Sequence, residues 1–441
     1  MTTARVEPPR TARPGRRPEL DAIRALVVVG LVFFHSALVF DAGDDYYVKN
    51  AETTSATMIA TGLGVIWAMP MMFLIAGLSS WHSLRRRGPA GFAAERLRRL
   101  GVPLVFATLT IIPVPQWLRS RADPGYHESY PRFLVRFFDV RLEPSEFPFV
   151  LRGTYFEFGH LWFVVLLLVF SLLLAPLVGR LPRGLGGRVR ESAATAVRRR
   201  GVVLLAAVPV AMVSALLGLE QAYAAWSRWA YLLFFLYGFA LASDERFRAA
   251  MRRDAPPAAA IGVVLFMIGL PEFMAAGGDP LTDMNGLAVG ARAVYGAAGW
   301  CWLVAILGLL DRRRPAPASV QRDAQVPTAV QQDAQVPAAV QRDTQVPAPV
   351  PQDAPAPVQD RPDGLGRRVY GYLSAAVLPL YILHQPILVA VAYGVVGWHA
   401  PIAVKYAAIV VATLTLTLAA YDLLVRRTRV TRFLFGMRAR A

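Results

Sequence analysis

Residues 20–40 read LDAIRALVVVGLVFFHSALVF, an apolar run broken by two ionisable residues, Arg24 and His35. The run is as long as a helix needs to cross a bilayer. Arg24 and His35 stand eleven positions apart. At about 100° per residue they fall on nearly one helix face, about 16 Å apart along the axis. An ionisable residue inside such a span is costly and is held by a pore, a site or a partner. The first span therefore carries a cation near one membrane surface and an imidazole three turns above it. No small-residue cleavage site follows the run, so a retained span is expected, not a signal peptide.

The rest of the chain has the same character. Of 441 residues, 55% are hydrophobic and only 17% charged, less charge than a soluble protein of this size carries. Apolar runs recur near 20–40, 59–82, 100–117, 160–179, 201–219, 229–243, 258–275, 286–310, 370–396 and 402–425. The expected fold is an all-α polytopic membrane protein, a bundle of about ten transmembrane helices with both termini cytoplasmic. The net charge of +17 does not mark a nucleic-acid binder, because the arginines sit between apolar spans and not on one soluble module. The single cysteine, Cys301, lies in an apolar run and permits no internal disulfide.

Charge orients the spans. With the N-terminus inside, the inner segments hold Arg85, Arg86, Arg87, Arg96, Arg98 and Arg99, then a basic stretch over 180–200, then Arg246, Arg248, Arg252 and Arg253, then Arg312, Arg313 and Arg314. The tail adds Arg426, Arg427, Arg429 and Arg432. Outer residues 41–58 carry four acids against Lys49, and 276–285 carry Asp279 and Asp283 with no base. A multi-pass protein of the cell (inner or plasma) membrane, embedded in its lipids, follows. The long outer loop 118–159 includes PGYHESYPRFLVRFFDV; it is either a lid on the acceptor side or a plain connection.

Residues 315–363 repeat with a ten-residue period: VQRDAQVPTA, VQQDAQVPAA and VQRDTQVPAP. Pro, Ala, Gln and Val without a bulky apolar face cannot bury a core. The expected organisation is a disordered cytoplasmic N-terminus over 1–18, a transmembrane core over 19–310 and a disordered cytoplasmic repeat linker over 311–368. Two further spans of the same domain over 369–427 and a basic cytoplasmic tail over 428–441 complete it.

Four motifs now fall in order. They are Asp21, Arg24 and His35 in the first span; Arg96 and Arg99 in ERLRRLGVP; His160 and Trp162 in GHLWFVVLLL; and Tyr381, His384 and Pro386 in LPLYILHQPIL. Together they resemble the membrane-bound acyltransferase-3 family, and the last two resemble its branch of membrane succinyltransferases of periplasmic glucans. The resemblance extends over all ten expected spans and omits the repeats. It implies an enzyme that moves an acyl group from a cytoplasmic donor, usually an acyl-CoA, to a hydroxyl on an extracytoplasmic glycan or glycolipid.

The residues themselves suit that chemistry. Acyl transfer to a hydroxyl needs a base near neutrality, and histidine is the usual choice. His35 is the expected catalytic base. A polyanionic donor needs fixed cations at the inner mouth, and Arg24, Arg96 and Arg99 are the expected donor-binding residues, since guanidinium suits phosphate by its paired donors. Asp21, His160, Trp162, Tyr381 and His384 are candidate site-lining residues. Plainer readings stand beside these. His35 and His384 could each simply hydrogen-bond a neighbouring helix. Trp162 could be an interfacial anchor, and Arg96 and Arg99 positive-inside residues. Asp21 could simply pair with Arg24 one turn away. No His/Cys cluster has metal-ligand spacing and no glycine-rich phosphate loop precedes a lysine, so no metal and no bound cofactor is expected. The competing functions are a transporter or flippase of a polar or lipid-linked substrate, and acylation of a small-molecule secondary metabolite.

Overall fold

In the computed structural model the described residues are 18–312 and 365–437, apart from positions 44, 181 and 183. Residues 1–17 of the expected N-terminal segment 1–18, the repeats and the last residues of the tail lie outside them.

The first helix, α1, runs Pro18–Leu38, and α2 runs Ala56–Arg96. Residues 83–99, expected as an inner loop, are thus mostly helical. The chain turns inside α2 at Gly88, whose φ of +70° favours glycine, and Pro89 opens the next helical stretch. A wide turn over Leu97–Gly101 leads to α3 (Val102–Thr110) and α4 (Pro113–Arg121). The break between these two has a cause: Pro113 and Pro115 bring no N–H to a continuing ladder. The outer loop then forms α5 (Tyr130–Phe137) and an antiparallel hairpin of β1 (Val140–Leu142) and β2 (Leu151–Gly153). That hairpin departs from the all-helical expectation. It stands in the long connection between two apolar segments.

Next come α6 (Trp162–Arg180), α7 (Leu185–Ala196), α8 (Ala207–Leu217), α9 (Arg228–Leu241), α10 (Glu245–Ala275) and α11 (Gly286–Arg312). The last three are α12 (Leu365–Val395), α13 (Ile402–Ala420) and α14 (Arg429–Leu434).

Seven of the described helical segments are long and apolar enough to cross a membrane, so the chain is a mostly helical, multi-pass membrane protein. One of them, Gly64–Arg121, is 58 residues long and holds two expected spans, those near 59–82 and 100–117. The expected spans near 201–219 and 229–243 are shorter helices, Val202–Leu217 and Arg228–Leu241. Both fall below the roughly 20 residues of a straight crossing.

Packing follows from small residues. Gly77 of α2 and Gly238 of α9 lie so close that a Cβ on either would sit 1.9 Å from a backbone carbonyl of the other helix. Such close approach lets two helices associate in lipid, where apolar side chains gain little by leaving the solvent. The other main pairings are α10 with α11, α8 with α11, α1 with α12, and α12 with α13. Several basic segments meet at one end of the bundle. Arg246 pairs with Glu191 at 2.5 Å, Arg253 donates to the carbonyls of Val197, Arg198 and Arg199, and Arg312 donates to those of Arg252 and Arg253. Arg292, which had no assigned role, is fully buried and donates to the carbonyls of Pro280, Asp283 and Ala215, clamping the 276–285 loop.

Candidate active site

Three histidines far apart in the chain converge. His35 lies near the end of α1, His160 in the turn Gly159–Leu161 before α6, and His384 in the middle of α12. The His35 and His384 rings stack with centroids 5.2 Å apart, and the His160 ring meets His384 edge-on at 5.2 Å.

The hydrogen bonds fix which nitrogen holds each proton. His384 Nδ1 lies 2.7 Å from the carbonyl oxygen of Tyr381. A carbonyl only accepts, so this nitrogen carries the hydrogen, and the other nitrogen of the neutral ring, Nε2, is a lone pair. That lone pair faces His35 Nδ1 at 3.1 Å, so His35 Nδ1 donates. The lone pair of neutral His35 is then on Nε2. One backbone carbonyl thus sets the tautomers of two rings in series.

His160 is set in the same way, by a proline. Pro386 has no N–H, so the carbonyl of Ile382, four residues earlier, loses its helical donor. His160 Nε2 takes that place, donating to the Ile382 carbonyl oxygen at 3.1 Å. The Tyr381 hydroxyl donates in turn to the His160 carbonyl. The gap at Ile382 and the Tyr381 hydroxyl therefore tie α12 to the start of α6.

His35, His160, Tyr381 and Trp162 line a cavity of about 350 Å³. His384 is 1% exposed and sits behind His35. Trp162 stacks on Tyr231 with centroids 5.3 Å apart and also lies over Phe73, so it is built into the cavity wall. Other walls come from Tyr46, Tyr47 and the long loop, through Phe149, Arg152, Phe156, Glu157 and Phe158. The Tyr47 hydroxyl donates to Glu157, and Arg119 pairs with Asp45, binding α4 and the loop to the 41–55 segment. Burial lifts the Glu157 carboxyl above its ordinary pKa; burial and the neighbouring Glu157 lift the Tyr47 hydroxyl well above its own.

The arginines lie toward the other end of α1. Arg24 donates to Asp21 at 3.0 Å, to Ser79 Oγ at 2.6 Å and to the Ile75 carbonyl at 3.2 Å. Arg96 donates to the adjacent Ser80 Oγ at 3.1 Å and lies over the Phe92 ring at 5.0 Å; its Nε is buried with no acceptor. Neighbouring serines of α2 thus hold the two guanidiniums. Arg99 is differently placed, bridging Glu95 at 3.5 Å and the Gly436 carbonyl at 3.4 Å. No sequence signal marked Ser79, Ser80, Tyr47 or Glu157. Pro386 was itself a signal, since a proline within a helical run implies a freed carbonyl.

The sequence matches the acyltransferase-3 family model, described as an acyltransferase domain, over residues 17–319. His35, His160 and the arginines fall inside the match; Tyr381 and His384 follow it. No curated protein and no solved structure matches the chain. The matched segment covers more than half of the 441 residues, and with its apolar helices the chain is a membrane acyltransferase that belongs to the acyltransferase-3 family.

Proposed function

We propose that this protein is an O-acyltransferase that takes an acetyl, succinyl or similar acyl group from cytoplasmic acyl-CoA. It delivers the group to a hydroxyl of an extracytoplasmic glycan, glycolipid or related acceptor. The proposal includes ten crossings of the cell membrane, both termini cytoplasmic, and the branch of periplasmic-glucan succinyltransferases. In the count of ten, Gly64–Arg121 crosses twice and the short segments 202–217 and 228–241 each cross.

The observation that carries the reading is one helix with two ends of different chemistry. At one end of α1 stand Arg24 and, through α2, Arg96; at the other, His35 lines an aromatic-walled cavity with its Nδ1 held by His384 and its Nε2 left as the lone pair. About 16 Å separates them along the axis, a distance that an extended thioester arm spans. Arginines suit the donor's phosphates. His35 Nε2 takes the acceptor's proton as its oxygen attacks the thioester carbonyl. The imidazolium, held by His384, then gives the proton to the departing sulfur. Aromatic walls beside a buried carboxyl suit a sugar ring. The sidedness is supported by the meeting of the basic segments at one end.

The test is purified protein with labelled acyl-CoA and a hydroxyl acceptor. Thioester cleavage coupled to acceptor labelling is expected, and His35→Ala should lower it by about 10²–10⁴-fold while the protein still accumulates. A transporter would leave the thioester intact. Near-normal turnover in His35→Ala would remove the base from the mechanism.

A further inference from the structure

Several polar groups in and behind the cavity wall are already committed. Tyr381 donates its hydroxyl to the His160 carbonyl, His160 Nε2 is bound to the Ile382 carbonyl, and His384 lies between Tyr381 and His35. Gln385 is different. It lies next to His384 and one turn beyond Tyr381, and it lines the same cavity. It is 5% exposed, yet its Oε1 has no hydrogen-bond partner. A primary amide buried in a membrane bundle without a partner is costly. Its two ends exchange by a flip, so the amide can offer either a carbonyl or two N–H donors to whatever fills the cavity.

We infer that Gln385 is the oxyanion donor of the transfer step, an assignment that rests on the acyl-transfer reading above. When the acceptor oxygen bonds to the thioester carbon, its proton goes to His35 Nε2 and the carbonyl electron pair moves onto oxygen. When the C–S bond breaks, the carbonyl re-forms and the proton passes from His35 to sulfur. The charge on that oxygen must meet a donor while it lasts, and pre-set donors in a site without water do this best. Gln385, beside His384 and lining the cavity with His35, has an amide oxygen without a partner. A ground-state carbonyl asks less of such a donor than an oxyanion does; with the amide flipped, Nε2 stands where Oε1 is buried unpaired and gains its partner as the oxyanion forms.

The experiment compares Gln385→Met, Gln385→Asn and His35→Ala in purified protein, with kcat and both KM values measured. Gln385→Met keeps the length and removes the donor. Its kcat should fall about 10²–10³-fold, with KM for donor and acceptor within about threefold of wild type. Its melting temperature should hold or rise, because a buried unpaired amide has been removed. Gln385→Asn should retain more activity than Gln385→Met. A raised acceptor KM with unchanged kcat would overturn the assignment and make Gln385 a grip on the acceptor. Unchanged kinetics in Gln385→Met alongside an inactive His35→Ala would overturn the oxyanion role alone. An active His35→Ala would overturn the underlying reading as well. If Gln385→Met failed to fold, the Gln385→Asn kcat would decide, full activity with a normal KM being expected only for a bystander that tolerates the shorter side chain.

Discussion

His384 offers the sharpest test of the site, because its contribution follows from geometry without any contact to substrate. Its Nδ1 is fixed by the Tyr381 carbonyl at 2.7 Å, and its Nε2 accepts from His35 at 3.1 Å. Removing it in His384→Ala frees His35 to place its hydrogen on Nε2, the nitrogen that the proposed mechanism needs as a lone pair. Loss of one hydrogen bond alone is worth about 1 kcal/mol, or about fivefold. Holding a catalytic imidazole in the wrong tautomer is far worse, about 10⁴-fold in the serine-protease triad. His384→Ala should therefore lose between about 10² and 10⁴ in kcat, or roughly 2.7–5.4 kcal/mol at about 1.36 kcal/mol per decade. His384→Gln provides the control. A glutamine carbonyl reaches nearly where Nε2 stood and can accept from His35 Nδ1, so most of the loss should return. The assay is release of free thiol from acyl-CoA by purified protein in lipid discs at saturating acceptor. Two results would refute the reasoning: His384→Ala within about threefold of wild type, or His384→Gln as inactive as the alanine variant.

Three further outcomes are expected. Arg96→Ala and Arg24→Ala should each weaken coenzyme A affinity by about 10–100-fold, the worth of a charge-assisted hydrogen bond, with only partial rescue by lysine; unchanged affinity by calorimetry in both would remove them from the donor site. Gly238→Ala should cost about 1–3 kcal/mol or more by forcing a Cβ against the Leu74 carbonyl, whereas Gly30→Ala, with nothing within 4 Å, should not destabilise; equal melting temperatures would contradict the α2–α9 contact. With Cys301 replaced, a cysteine at Ser129 should label with an impermeant thiol reagent in intact cells and one at Ser192 only after lysis; the reverse pattern would place the arginine end outside.

The parts of the fold that depend on one stretch of chain were readable in it. The first span announces itself by its length and by two ionisable residues on one face, and Arg24 pairs with Asp21 within one turn as the spacing allows. α8 and α9 were harder to read, because their apolar residues could be recognised but not how far a helix would run through them. Gly201 and Gly218, both at positive φ, bound the segment Val202–Leu217 that contains α8, and only the fold reveals that use of them. The hairpin Val140–Leu142 with Leu151–Gly153 is too short to show an alternating pattern. Convergence at the site was the least legible. His35 and His384 are 349 positions apart, and nothing in either local sequence names the other. The tie of His160 to Ile382 was half visible, since Pro386 told that a carbonyl would be left over but not who would take it. An amide such as Gln385 has no spacing rule at all; its meaning lies in lacking a partner.

The missing N–H of Pro386 sets stability against activity at one position. Pro386→Ala would restore the ladder of α12 and, counted as a helix alone, improve it. The same change would offer Ile382 a second donor and loosen His160 from the site. Directed evolution for a more robust protein would readily accept that substitution and lose rate by it, the usual exchange where a strained or incomplete backbone serves catalysis. Selection for thermostability alone should therefore avoid the stretch from Tyr381 to Pro386.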